Sequence, residues 1–118
     1  MKFWFSSAIV PLYLDQNPKQ TRLARLLFDD DEHLVVWSGT VIECASAFDR
    51  LRRTGGITDS EQRDATRNLL DLRADWSKVV PGDRVQVRAT RAITLHSLTA
   101  ADSLQLAAAL EWSEPELN

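Results

Sequence analysis

The apolar positions of this chain fall into short continuous runs separated by longer stretches of helical periodicity. Lys2 to Phe5 is a brief, largely apolar run that predicts a short buried strand. Ser6 and Ser7 end it, and Ser7 is placed to cap the helical stretch that follows. Gln16-Asn17-Pro18 marks a turn. Lys19 to Phe28 carries Leu23, Leu26 and Leu27 at helical spacing. The acidic run Asp29 to Glu32 then reads as a solvated loop, because acids at a helix C-terminus oppose its dipole. Leu34 to Trp37 is apolar throughout, as expected of a strand buried on both faces.

The second half repeats the alternation. A helix starting at Gly39-Thr40 and ending before Gly55-Gly56 presents Val41, Cys44 or Ala45, Phe48 and Leu51 on one face. Thr58-Asp59-Ser60-Glu61 is a capping box that opens a further helix, with Ala65, Leu69 and Leu72 turned inward. Trp76 to Val80 is a third strand closed by Pro81-Gly82. Asp83 to Leu95 predicts a helix burying Val85, Ala89, Ala92 and Ile93. Thr99 opens the last one, with Leu104, Leu106, Ala107 and Leu110 facing other elements. Strands alternating with helices predict an α/β fold, a three-layer α/β/α sandwich around a central parallel sheet, in one domain spanning residues 1–118. Ligands of such sheets gather beyond the carboxyl ends of the strands. The loops after Phe5 and Trp37 are therefore where chemistry is expected.

Composition removes several alternatives. The chain has 118 residues, a length that suits a single core. Cys44 is the only cysteine and His33 and His96 are far apart, which excludes a disulfide framework and a structural zinc site and suits a reducing cytoplasm. The apolar stretch Phe3 to Leu14 is too short to span a bilayer and lacks a small-residue cleavage site, so neither a membrane segment nor a signal peptide is expected. A net charge of −3 argues against non-specific coating of nucleic acid. There is no dinucleotide or triphosphate glycine motif and no nucleophile elbow. Cys44 has no histidine near it in sequence and reads as a small core residue.

Two carboxylates stand out. Glu43 lies three residues after Thr40, and Asp102 three after Thr99. Both patterns match capping boxes, in which the acid satisfies a free N–H and opposes the positive helix end. Both also sit in the first turn of helices embedded in strongly apolar sequence, and Glu43 follows the second strand by a short loop into the region where ligands collect. Two carboxylates converging there repel one another unless a cation neutralises them, and hard oxygen ligands suit Mg²⁺ or Mn²⁺. A metal so held polarises a phosphodiester and activates water. Arg84, Arg88 and Arg91 follow i, i+4, i+7 spacing, which makes either a phosphate-tracking face or a solvated helix surface. Arg50, Arg52 and Arg53 form a second basic cluster with the same two readings. Trp4, Trp37 and Trp76 read as core, and Trp112 as exposed or at an interface.

Three segments, taken in order, resemble PIN-domain proteins of the VapC toxin type. Phe3-Trp-Phe-Ser-Ser-Ala-Ile-Val-Pro-Leu12 is similar to the family's opening motif, Thr40-Val-Ile-Glu-Cys-Ala-Ser-Ala-Phe48 to its second acidic motif, and Thr99-Ala-Ala-Asp-Ser-Leu-Gln-Leu-Ala-Ala-Ala109 to its third. The resemblance covers nearly the whole chain. It implies a Mg²⁺-dependent (or Mn²⁺-dependent) endoribonuclease acting on RNA, restrained by a cognate VapB-like antitoxin. Glu43 and Asp102 inherit the roles of catalytic metal ligands, and Ser7 matches the Ser/Thr two positions beyond the first acid. That first acid falls at position 5, where this chain has Phe5. The family continues into a further strand carrying a fourth acid, whereas this sequence stops at Asn118. The resemblance thus implies an impaired nuclease lacking its final strand, with an open sheet edge that invites homodimerisation or partner insertion. The alternative is a non-catalytic PIN-fold module that binds an antitoxin or itself.

Overall fold

The computed structural model describes residues 1–114. The elements in chain order are β1 (Lys2–Phe3), α1 (Ser6–Tyr13), α2 (Pro18–Asp30), β2 (Leu34–Trp37), α3 (Thr40–Arg53), α4 (Asp59–Leu72), a 3₁₀ turn (Arg73–Asp75), β3 (Ser77–Val79), α5 (Asp83–His96) and α6 (Ala100–Ser113). The fold is α/β, with the three strands in the order β1-β2-β3 and both pairings parallel. Lys2 pairs with Leu34 and Phe3 with Val35, while Val35, Val36 and Trp37 pair with Ser77, Lys78 and Val79.

Strand alternation divides the core. Trp4, Leu34 and Val36 join a large apolar cluster with Ile9, Cys44, Phe48, Leu69 and Trp76. Phe3, Trp37 and Val79 join a smaller one with Val85, Ala89, Ala107 and Ala108. The first cluster is made by α1, α2, α3 and α4, and the second by α5 and α6, whose small residues let the two helices pack closely. Among the described residues no helix is long and apolar enough to cross a membrane.

Several local expectations are corrected. Helix α2 does not stop at Phe28 but continues through Asp30, with Asp31 as its C-cap. Its acidic end is neutralised from a distance: the Lys2 ammonium lies 2.6 Å from the Asp30 carboxylate, and the amino terminus of Met1 pairs with Asp31. Asn17 caps the start of this helix by accepting from the N–H groups of Lys19 and Gln20. Its buried positions are Thr21 and Ala24, whereas Leu23, Leu26 and Leu27 are exposed. Strand β1 ends at Phe3, and helix α1 starts after Phe5 with no side-chain cap, so Ser7 does not serve as one. Leu72 and Ile93, expected inside, are also exposed. The Thr58–Glu61 capping box forms in full.

Candidate functional site at the carboxyl ends of the strands

The site begins with the sharp exit from β2. After Trp37 the chain turns at Ser38-Gly39 and enters α3 at Thr40. Gly39 is the N-cap, in ordinary αR backbone, and its lack of a side chain is what admits the turn: a Cβ there would lie 2.2 Å from Trp37 Cζ2. The indole therefore lies directly over the start of α3. Its Nε1–H donates to Glu43 Oε1 at 2.7 Å. Because Gly39 is the cap, Glu43 sits one position beyond that of a capping-box acid, and Thr40 makes no cap bond. The expected Thr40–Glu43 box is not formed. The Thr40 hydroxyl is instead fully buried and without a hydrogen-bond partner.

Asp102 has the other arrangement. Thr99 caps α6 and its hydroxyl accepts from the Asp102 N–H at 3.2 Å. That places the exposed Asp102 side chain in the first turn of α6. The two acids, distant in sequence, act on one another across the fold. Partial burial holds the Glu43 carboxyl above its ordinary pKa, the Trp37 N–H opposes that rise, and the negative charge of Asp102 adds to it. Glu43 thus opens α3 directly after β2, close enough to Asp102 in the first turn of α6 to feel its charge.

Position 5 lies two residues beyond the Phe3–Val35 pair, which carries Phe5 to the level of Trp37. The Phe5 ring meets Phe3 edge-on, with centroids 5.8 Å apart, and Phe3 lies against Trp112 at 6.3 Å. Phe3, Phe5 and Trp112 thus form an aromatic cluster. Among the described residues no group of three His, Cys, Asp or Glu side chains is placed to hold a metal ion. Two carboxylates, one of them occupied by an indole N–H, form an incomplete donor set for Mg²⁺ or Mn²⁺. The residues present do not fit the cation as a full site.

Two residues passed over in the sequence complete the junction. The Ser6 N–H donates to Gln105 Oε1 at 2.7 Å, and Gln105 Nε2 donates to Ser6 Oγ at 3.1 Å. Gln105 is buried, at 3% exposure, which makes these bonds obligatory rather than decorative. The signal available was a lone amide inside the apolar run Leu104-Gln105-Leu106-Ala107-Ala108. Trp37, read as core, is half-buried and belongs to the site. Cys44 is fully buried, and burial pushes its thiol pKa up to about 12, so it remains a protonated core residue.

The arginines lie elsewhere. Arg84, Arg88 and Arg91 line a groove of about 520 Å³ between α5 and α6, together with Leu95, Leu106 and Leu110. Arg84 Nε is 3.1 Å from Glu111 Oε1, and Arg88 donates to the Glu114 carbonyl at 2.9 Å. Arg88 Nε also approaches Glu111 Oε2 at 3.5 Å, an ion-pair contact without hydrogen-bond geometry. Glu111 thus offsets much of the charge expected to track phosphates. In the other basic cluster, Arg52 and Arg53 both bind Asp49. No family model matches this chain, and comparison with curated proteins returns no match.

Proposed function

We propose that this protein is a VapC-like toxin with a PIN-type three-layer α/β/α fold, built as a Mg²⁺-dependent endoribonuclease whose cleavage is impaired by Phe5. The reading is supported by Glu43 opening α3 directly after β2, at the carboxyl end of the parallel strands, with its carboxyl pKa raised by burial and by the charge of Asp102. Thr99 caps the Asp102 N–H without the reciprocal side-chain bond of a capping box, and Glu43 stands outside the capping position and bonds an indole. The two apolar clusters served by alternate strand residues support the layered arrangement.

Phe5→Asp tests this reading. It adds a carboxylate at the level of Trp37. Mn²⁺ should then raise the melting temperature clearly more than it does in the parent; at a hundredfold excess over Kd, binding adds about 2.7 kcal/mol. Glu43→Gln in the Phe5→Asp background should remove that rise. The same Phe5→Asp protein should cleave single-stranded RNA in Mg²⁺ or Mn²⁺. Absence of both the Mn²⁺ response and cleavage overturns the nuclease reading.

A second reading is favoured by the exposed leucines of α2. Leu23 and Leu27 flank a small groove with Trp4, Ala8 and Pro11, and Leu26 stands 63% exposed. An apolar surface of this kind suits a non-catalytic PIN-fold module that binds an antitoxin-like protein or a second copy of itself. Co-purification with the product of an adjacent gene, abolished by Leu26→Lys, is the outcome expected of it.

A further inference from the structure

One residue bridges the start of α6 and α3. Ser6 sits at the junction of β1 and α1. Its backbone N–H and its hydroxyl are both engaged by Gln105 of α6. Its carbonyl faces the Cys44 thiol of α3 at 3.9 Å, a weak contact. Cys44 is the sequence neighbour of Glu43, and Gln105 lies three residues after Asp102, on the same face of α6. Ser6 is therefore tied to the neighbour of each acid. Rotation of α6 about its axis would break the Gln105 bonds and swing Asp102 away. The adjacent Ser103 hydroxyl, also buried, bonds only within α6, to the Ala100 carbonyl at 2.7 Å, and so fixes the turn but not its orientation.

We infer that Gln105 is a positioning residue: its paired hydrogen bonds to Ser6 set the rotation of α6 that brings Asp102 beside Glu43. The inference rests on the reading of these two acids as the working pair. An apolar residue of similar size would preserve packing at this buried position while removing both bonds. Ser6 would then keep a part-buried N–H with no partner, and α6 would lose its hydrogen-bonded tie to the end of β1.

The test reads the juxtaposition itself. In a Cys44→Ala background, Glu43→Cys and Asp102→Cys are joined by a short bismaleimide, with the rate followed well below the melting temperature. The pair should cross-link readily. Gln105→Met should slow the reaction about tenfold, the effect expected from losing two modest hydrogen bonds. Gln105→Glu, which keeps an acceptor for the Ser6 N–H and for its hydroxyl proton, should return the rate to within about twofold. A Gln105 that only stabilises the fold would lower the melting temperature and leave the rate alone, and an unchanged rate in folded Gln105→Met overturns the inference. Should Gln105→Met fail to fold, Ser6→Ala carries the test. It removes one bond, about threefold slowing is expected, and none overturns the inference. Neither metal nor RNA enters the measurement. A Phe5→Asp protein that fails to cleave RNA would defeat the nuclease reading and leave the cross-linking result standing.

Discussion

Trp37 and Gly39 show how one small residue sets the geometry of a site. Gly39 has ordinary right-handed backbone, so alanine costs nothing there in conformation. The obstacle is steric. A Cβ would fall within 2.8 Å of three atoms of the Trp37 ring, whose other contacts are with the buried cluster on α5 and α6. The ring cannot swing aside without leaving that cluster and releasing Glu43. Gly39→Ala should destabilise the protein by about 1–3 kcal/mol, the usual range for overpacking. Urea denaturation followed by tryptophan fluorescence measures it, and the free Trp37 indole should also shift the native emission. A neutral midpoint with unchanged emission would show that the indole is not pinned. Glu43 itself carries two conflicting demands. Partial burial and the charge of Asp102 raise the pKa of its carboxyl, yet it serves Trp37 as an acceptor. Glutamine meets both demands, whereas alanine leaves the indole N–H without its partner.

At the scale of elements, local signals were legible where both partners are close in sequence. The Thr58–Glu61 box is complete, with the Glu61 N–H donating to Thr58 Oγ1 at 3.1 Å and the Thr58 N–H to Glu61 Oε1 at 3.0 Å. Thr58→Ala should cost about 1 kcal/mol in chemical denaturation, typical of a lost cap. The three strands and their parallel pairing follow from the periodicity of apolar runs and helical stretches. Signals with distant partners were not legible. The acids ending α2 argue for a loop by the dipole rule, and no local pattern shows that Lys2 and the amino terminus reach them from β1. The Thr40–Glu43 spacing imitates a capping box, and only the turn at Gly39 shifts the helix start by one residue and frees Glu43 for Trp37. The leucines of α2 follow helical spacing but face outward, because Thr21 and Ala24 give the closer approach to α1. Gln105 was hidden for the same reason as Lys2: its partner is 99 residues away.

Across the whole molecule, acid sensitivity collects at points where separate elements are tied by carboxylates. Asp49 of α3 accepts from Arg52 and Arg53 on its own helix and from Gln62 on α4. The Arg52 and Arg53 hydrogen bonds, with that of Gln62, lower its pKa from 3.8 to about 2. Asp31, at the end of α2, is lowered by its bond to the amino terminus and by the His33 N–H. A carboxyl whose folded pKa is depressed contributes stability that is present above its unfolded pKa and lost as pH falls through the folded one. For Asp49 that window runs from about 4 down to about 2. Glu43 has the opposite sign: its folded pKa is raised, so ionising it weakens the fold, and acidification relieves that penalty. The two effects occupy neighbouring pH ranges and partly cancel in the parent protein. Asp49→Asn removes one of them. Its melting temperature should lie below the parent's at pH 7 and converge on it near pH 2, because the parent alone loses the Asp49 contribution over that interval. Glu43→Gln should do the reverse, lying above the parent at pH 7 and converging below the pH at which Glu43 is protonated. Thermal melts of the three proteins across this range separate the contributions. Parallel curves for Asp49→Asn and the parent would show that the arginine contacts within α3 are screened by solvent and contribute little.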